Sequence, residues 1–112
     1  MISYDIKFWR NIFREIYYFT SPKYISLKLF LGVPGDQMAL NITDMDIESS
    51  TGCRFDYLEV RDGHNQDSPL IVRLCGAPEQ LPAPLLTSQH EMWVAFVTDN
   101  SVHGRGFSGL VK

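Results

Sequence analysis

Three carboxylates stand where apolar runs stop or start: Glu48, Asp56 and Asp99. Hard oxygen donors carrying several charges, completed by hydroxyl or carbonyl oxygens, form the shell that calcium requires. Ser101 follows Asp99 closely and offers such a hydroxyl. Spacing alone, however, favours ordinary solvated acids, because strand ends are commonly acidic. Other chemistries find less support. Ser101 and His103 are neighbours, but no nucleophile-elbow motif surrounds them. His64, His90 and His103 lie in loop-like or strand-edge contexts and read as solvated. Paired acids would suit glycoside hydrolysis, yet nothing else points to a substrate cleft. The chain is therefore not expected to be an enzyme.

Two cysteines are present, Cys53 and Cys75, outside any CxxC or Cys/His cluster, so a zinc site is not expected. A single disulfide and two separate buried thiols both fit the composition. Asn41-Ile42-Thr43 is an N-glycosylation sequon. With Ile42 facing a core, Asn41 points outward.

These residues sit among short apolar runs broken by turn residues, the pattern of an all-β domain. Strands are expected over residues 24–33, 38–47, 57–61, 70–74, 92–98 and 107–111. Pro34-Gly35-Asp36 and Asp62-Gly63 mark turns. Leu40 and Ile42 share one face, whereas Met45 and Ile47 continue the apolar set out of phase, which predicts a bulge near Thr43-Asp44. Residues 76–84 hold three of the six prolines and resist regular structure. Residues 92–98 form the most apolar segment and are expected at the centre of a sheet. Trp93, Phe96, Phe107 and Leu58 are expected in the core.

Residues 1–19 differ in texture. Ile6, Trp9, Ile12, Phe13, Ile16 and Tyr17 fall near helical spacing. This segment reads as an atypical leader, a short helix or a disordered stretch, ahead of a domain spanning 20–112. It lacks the uninterrupted apolar stretch of a signal peptide, and no run in the chain reaches transmembrane length. The chain's 112 residues suit one domain. A net charge of −3 argues against a nucleic-acid partner.

Taken together, several motifs resemble the CUB domain family. Residues 53–63, Cys-Arg-Phe-Asp-Tyr-Leu-Glu-Val-Arg-Asp-Gly, are similar to its central signature. Met45-Asp-Ile-Glu48 resembles the strand before it, and Leu74-Cys75-Gly76 the second half of its disulfide. Trp93 to Ser101 and Gly106-Phe-Ser-Gly109 resemble its last two strands. The resemblance runs from about Ser21 to Lys112. It departs from the family in lacking an earlier cysteine pair, a recognisable opening strand and a final aromatic.

The resemblance implies a jelly-roll-like β-sandwich of two antiparallel sheets, with Cys53 bonded to Cys75, in an extracellular protein. It implies a calcium ion held by Glu48, Asp56, Asp99 and Ser101, and a protein partner whose lysine or arginine meets those carboxylates. Contact with a membrane is not expected. Two other roles fit the family: a calcium-independent carbohydrate or glycosaminoglycan binder, and a spacer or substrate-recruiting domain of a modular protease.

Overall fold

The computed structural model describes residues 4–9, 17–20, 23–98 and 104–112, with side chains described over 27–98 and 106–112. Nine strands lie among them: β1 (Tyr4–Trp9), β2 (Tyr17–Thr20), β3 (Lys23–Leu31), β4 (Ala39–Ile47), β5 (Tyr57–Arg61), β6 (Leu70–Leu74), β7 (Leu85–Leu86), β8 (Glu91–Thr98) and β9 (Gly104–Val111). They form a four-stranded sheet in the order β1-β9-β4-β7 and a five-stranded sheet in the order β2-β3-β8-β5-β6. Every pairing within the two sheets is antiparallel. β8 lies at the centre of its sheet, as its apolar character predicts.

Leu40, Ile42, Met45 and Ile47 from β4 and Phe107 and Val111 from β9 are buried in one sheet. Phe30, Leu58, Val60, Met92, Val94 and Phe96 complete the core from the other. Phe96 and Phe107 meet edge to face across the sandwich, with ring centroids 6.2 Å apart, the arrangement that ring quadrupoles favour.

The phase break in β4 is resolved as the sequence predicts. Its pairing with β9 shifts register between Ile42 and Asp44, which returns Met45 and Ile47 to the core. Opposite Ile42 stands Gly109, where a Cβ would lie 2.8 Å from the Asn41 carbonyl oxygen. Only glycine permits that approach. Gly63 in the β5–β6 turn has φ +152°, and a Cβ there would collide with Ser68.

Two expectations need correction. Trp93 is not in the core. Met92, Val94 and Phe96 take the inward positions of β8, so the two-residue period turns Trp93 onto the outer face, where it is half-buried. Helical spacing also fails to set the backbone of Tyr4–Trp9 and Tyr17–Thr20, which are strands. β1 pairs with β9 and β2 with β3. Pairing at a sheet edge gives these segments backbone partners in a folded sheet, whereas a solitary helix of this length is marginal without something to pack on. Residues 10–16 lie outside the described residues.

Candidate functional site

Strand direction brings the ends of β4 and β8 and the starts of β5 and β9 to one end of the sandwich, and with them Glu48 and Asp56. β4 finishes at Ile47, immediately before Glu48. β5 starts at Tyr57, immediately after Asp56. β5 and β8 are antiparallel with Tyr57 opposite Val97, so the start of β5 meets the end of β8. Asp99 is the next residue after β8 in the chain. β9 begins beside the end of β4, with Gly104 opposite Ile47. β4 and β8 therefore finish, and β5 and β9 start, at the same end of the molecule. Asp99 and Ser101 themselves lie outside the described residues, as does His103.

Local contacts hold the 48–56 segment. Ile47 and Gly76 exchange backbone hydrogen bonds of 3.0 and 2.8 Å. The Cys53–Cys75 disulfide, with Cα atoms 5.6 Å apart, ties a short helical turn (Thr51–Cys53) to the chain beyond β6. Ser50 Oγ accepts from the Arg54 N–H at 3.0 Å and the Phe55 N–H at 3.5 Å. Phe55 remains exposed, with the Arg54 guanidinium 5.4 Å from its ring centroid.

Asp56 is only 1% exposed. A buried carboxylate is costly unless its oxygens are satisfied, and the Thr98 hydroxyl donates to its Oδ2 at 3.2 Å. Glu48 is half-buried. The donors at this end are hard oxygens from carboxylates and a hydroxyl, which suit calcium and poorly suit softer metals. Among the described residues, no three His, Cys, Asp or Glu side chains converge.

The sequon asparagine, Asn41, is exposed on the outer face of β4. Ile42 beside it is buried, and the Thr43 and Ser108 hydroxyls are 3.1 Å apart.

A second polar cluster escaped the sequence reading. Glu59 lies mid-strand in β5, with its side chain 8% exposed. Its Oε2 accepts from Arg61 Nε at 3.1 Å, and its Oε1 accepts from Arg73 Nε at 3.2 Å and Nη2 at 2.8 Å. Arg61 Nη1 also donates to the Ser68 carbonyl at 2.9 Å. The Arg73 guanidinium stacks 4.0 Å from the Tyr57 ring centroid. Burial pushes the Tyr57 phenol pKa up, an effect that the Arg73 charge partly opposes. The signal was present in β5: with Leu58 and Val60 facing inward, Tyr57, Glu59 and Arg61 must share the outer face. What could not be read was which strand supplies the second arginine.

Charge-assisted bonds of this kind stabilise by about 1.5–3 kcal/mol. Glu59→Ala is expected to lower unfolding free energy by about 2 kcal/mol, with Glu59→Gln costing less. Urea unfolding measures both, and an Ala variant as stable as the parent would show that the cluster contributes nothing.

Comparison with known proteins agrees with this architecture. The CUB domain family matches residues 30–109. Tolloid-like protein 2 of Homo sapiens is 40% identical over 74 residues, covering 66% of this chain and 7% of that protein. The dorsal-ventral patterning protein tolloid of Drosophila melanogaster is 42% identical over 75 residues, covering 67% of this chain and 7% of the relative. The chain thus spans a small fraction of these relatives. In structure, it is similar to the CUB1-EGF-CUB2 domain of human MASP-1/3, with a TM-score of 0.69 and 20% identity over 86% of this chain and 39% of the other. That likeness supports the two-sheet fold. The family match begins near the end of β3 and runs through most of β9, taking in the disulfide and both strand-end acids described above, and the chain therefore belongs to the CUB domain family.

Proposed function

We propose that this domain is an extracellular, calcium-dependent protein-recognition module, in which Glu48, Asp56, Asp99 and Ser101 hold the ion. The buried Asp56 carboxylate carries this reading, because it stands at the sandwich end where β4 finishes just before Glu48 and where β8 finishes. A bound calcium would supply positive charge that draws the acidic segments together. Carboxylate oxygens left over at the rim would accept charge-assisted hydrogen bonds from a partner's lysine or arginine. The exposed Phe55 beside Arg54 would give that partner an apolar contact at the same end. Binding, not catalysis, is the role of a CUB domain.

Extracellular placement has two supports. CUB domains of tolloid-type proteins are extracellular, and a disulfide such as Cys53–Cys75 persists in oxidising compartments. In the secretory pathway the exposed Asn41 would be open to glycosylation.

N-acetyl-lysine methylamide serves as a minimal partner probe. In calcium, nuclear magnetic resonance should show shift changes at the amides around Glu48, Asp56 and Asp99 on adding it. In chelator, and in Asp99→Ala, they should vanish. Equal changes in chelator would overturn the calcium-dependent reading, and none in calcium would overturn the lysine-receiving role.

A further inference from the structure

The outer face of the four-stranded sheet is apolar around the sequon asparagine. Leu40 and Val111 are fully buried, and Leu85 packs against the core. The alternate positions Ala39, Asn41, Leu86 and Leu110 therefore turn outward. Asn41 on β4 stands directly opposite Leu110 on β9. On its other side Leu86 of β7 lies opposite Ala39, which makes it the diagonal neighbour of Asn41. Leu110 is 40% exposed and Leu86 58%. We propose that an N-linked glycan on Asn41 folds back onto this face, its first N-acetylglucosamine covering Leu110 and Leu86. The inference rests on the extracellular placement given above and not on the calcium reading. Asn41 lies near the start of β4, about 20 Å along the strand from the end that leads into Glu48.

Reach favours this seat. Side chains directly opposite in an antiparallel pair have Cβ atoms about 4.5–5.5 Å apart, and diagonal neighbours lie about 7–8 Å apart. A pyranose ring joined to the short asparagine side chain spans both leucines. Among the described residues, none bonds the Asn41 side-chain amide, whereas the Thr43 hydroxyl of the same sequon is held by Ser108. The amide is thus open to modification without loss of a native contact.

Chemistry favours it too. One face of the N-acetylglucosamine ring presents C–H groups, and the acetyl group adds a methyl. Laying these on Leu110 and Leu86 takes apolar surface of both partners out of water, while the ring hydroxyls stay hydrated. Attachment is the ordinary chemistry of the sequon. Asn41 Nδ2 attacks C1 of an oligosaccharide carried on a lipid pyrophosphate. The C1–N bond forms, the C1–O bond to phosphate breaks, the lipid pyrophosphate leaves, and one amide proton passes to the transferase's base.

The test uses the full oxidised chain, secreted from a eukaryotic host behind a supplied signal peptide and trimmed by endoglycosidase to one N-acetylglucosamine. Its mass should carry that sugar at Asn41. Nuclear Overhauser contacts are expected between the sugar protons and the methyls of Leu110 and Leu86. In chelator, the trimmed chain should melt about two degrees above Asn41→Gln. That gain should largely vanish when both chains also carry Leu110→Ala and Leu86→Ala. A secreted chain whose Asn41 bears no sugar would overturn the proposal while leaving the extracellular placement intact. A sugar that contacts neither leucine would overturn it, as would an equal melting gain in the leucine variants. So would a second copy docked on the same leucines, seen as association of the trimmed chain that Leu110→Ala abolishes.

Discussion

Phe107→Ala should cost about 3–5 kcal/mol of unfolding free energy, the range for truncating a fully buried aromatic. Phe107 is 0% exposed and sits in the edge-to-face pair with Phe96, where the four-stranded sheet meets the five-stranded one. Losing the ring removes the transfer energy of its carbons, a ring–ring contact and the filling of a site walled by both sheets. Little collapse can follow, since β9 is paired along its length with both β1 and β4. Urea unfolding with parent and variant gives the difference directly. Leu110→Ala, in the same strand at an outward position 40% exposed, should change stability by less than about 1 kcal/mol. Similar losses at the two positions would contradict the facing assigned to β9.

Replacing both Cys53 and Cys75 by serine should cost about 3 kcal/mol, from the chain entropy of a closure spanning 22 residues. A functional loss should accompany it. The disulfide pins the turn before Asp56 to the segment after β6, alongside the Ile47–Gly76 bridge. Without the bond, the 48–56 segment loses its covalent tie to the chain beyond β6. Denaturant midpoints of the oxidised parent and the double variant measure the first effect. Calcium titration of both measures the second, where the variant should bind more weakly. Equal stability of the two proteins would mean that the bond constrains a loop already ordered by other contacts.

Much of the sandwich was legible because its strands obey the two-residue period and are cut by turn residues. The bulge in β4 followed from one broken phase, Met45 and Ile47 against Leu40 and Ile42, and Gly109 across from it provides the room. Aromatic composition alone does not give facing; the two-residue period does. Trp93 and Phe96, three residues apart in one strand, cannot both face the core, and Met92, Val94 and Phe96 hold the inner face. Helical spacing in the first 19 residues was equally uninformative. Tyr4, Ile6 and Phe8 also alternate, and only a waiting edge on β9 decides between the two patterns. Glu48 and Asp56 are visible in the sequence as strand-end residues, and antiparallel connection puts the end of β4 and the start of β5 at one end of the sandwich. Of the Glu59 cluster, only the β5 members were legible, since Arg73 reaches it across a pairing that joins residues 14 apart in the chain.

The calcium account is tested most directly by thermal melting of the oxidised chain in chelator and in a saturating calcium series, beside Asp99→Ala. Calcium at about ten times its dissociation constant should add about 1.4 kcal/mol, a rise of several degrees for a domain of this size. The account predicts that rise in the parent and its disappearance in Asp99→Ala. A well-folded parent that melts at the same temperature with and without calcium would contradict it, leaving Glu48, Asp56 and Asp99 as acids of the sandwich rim and no metal-dependent site at that end.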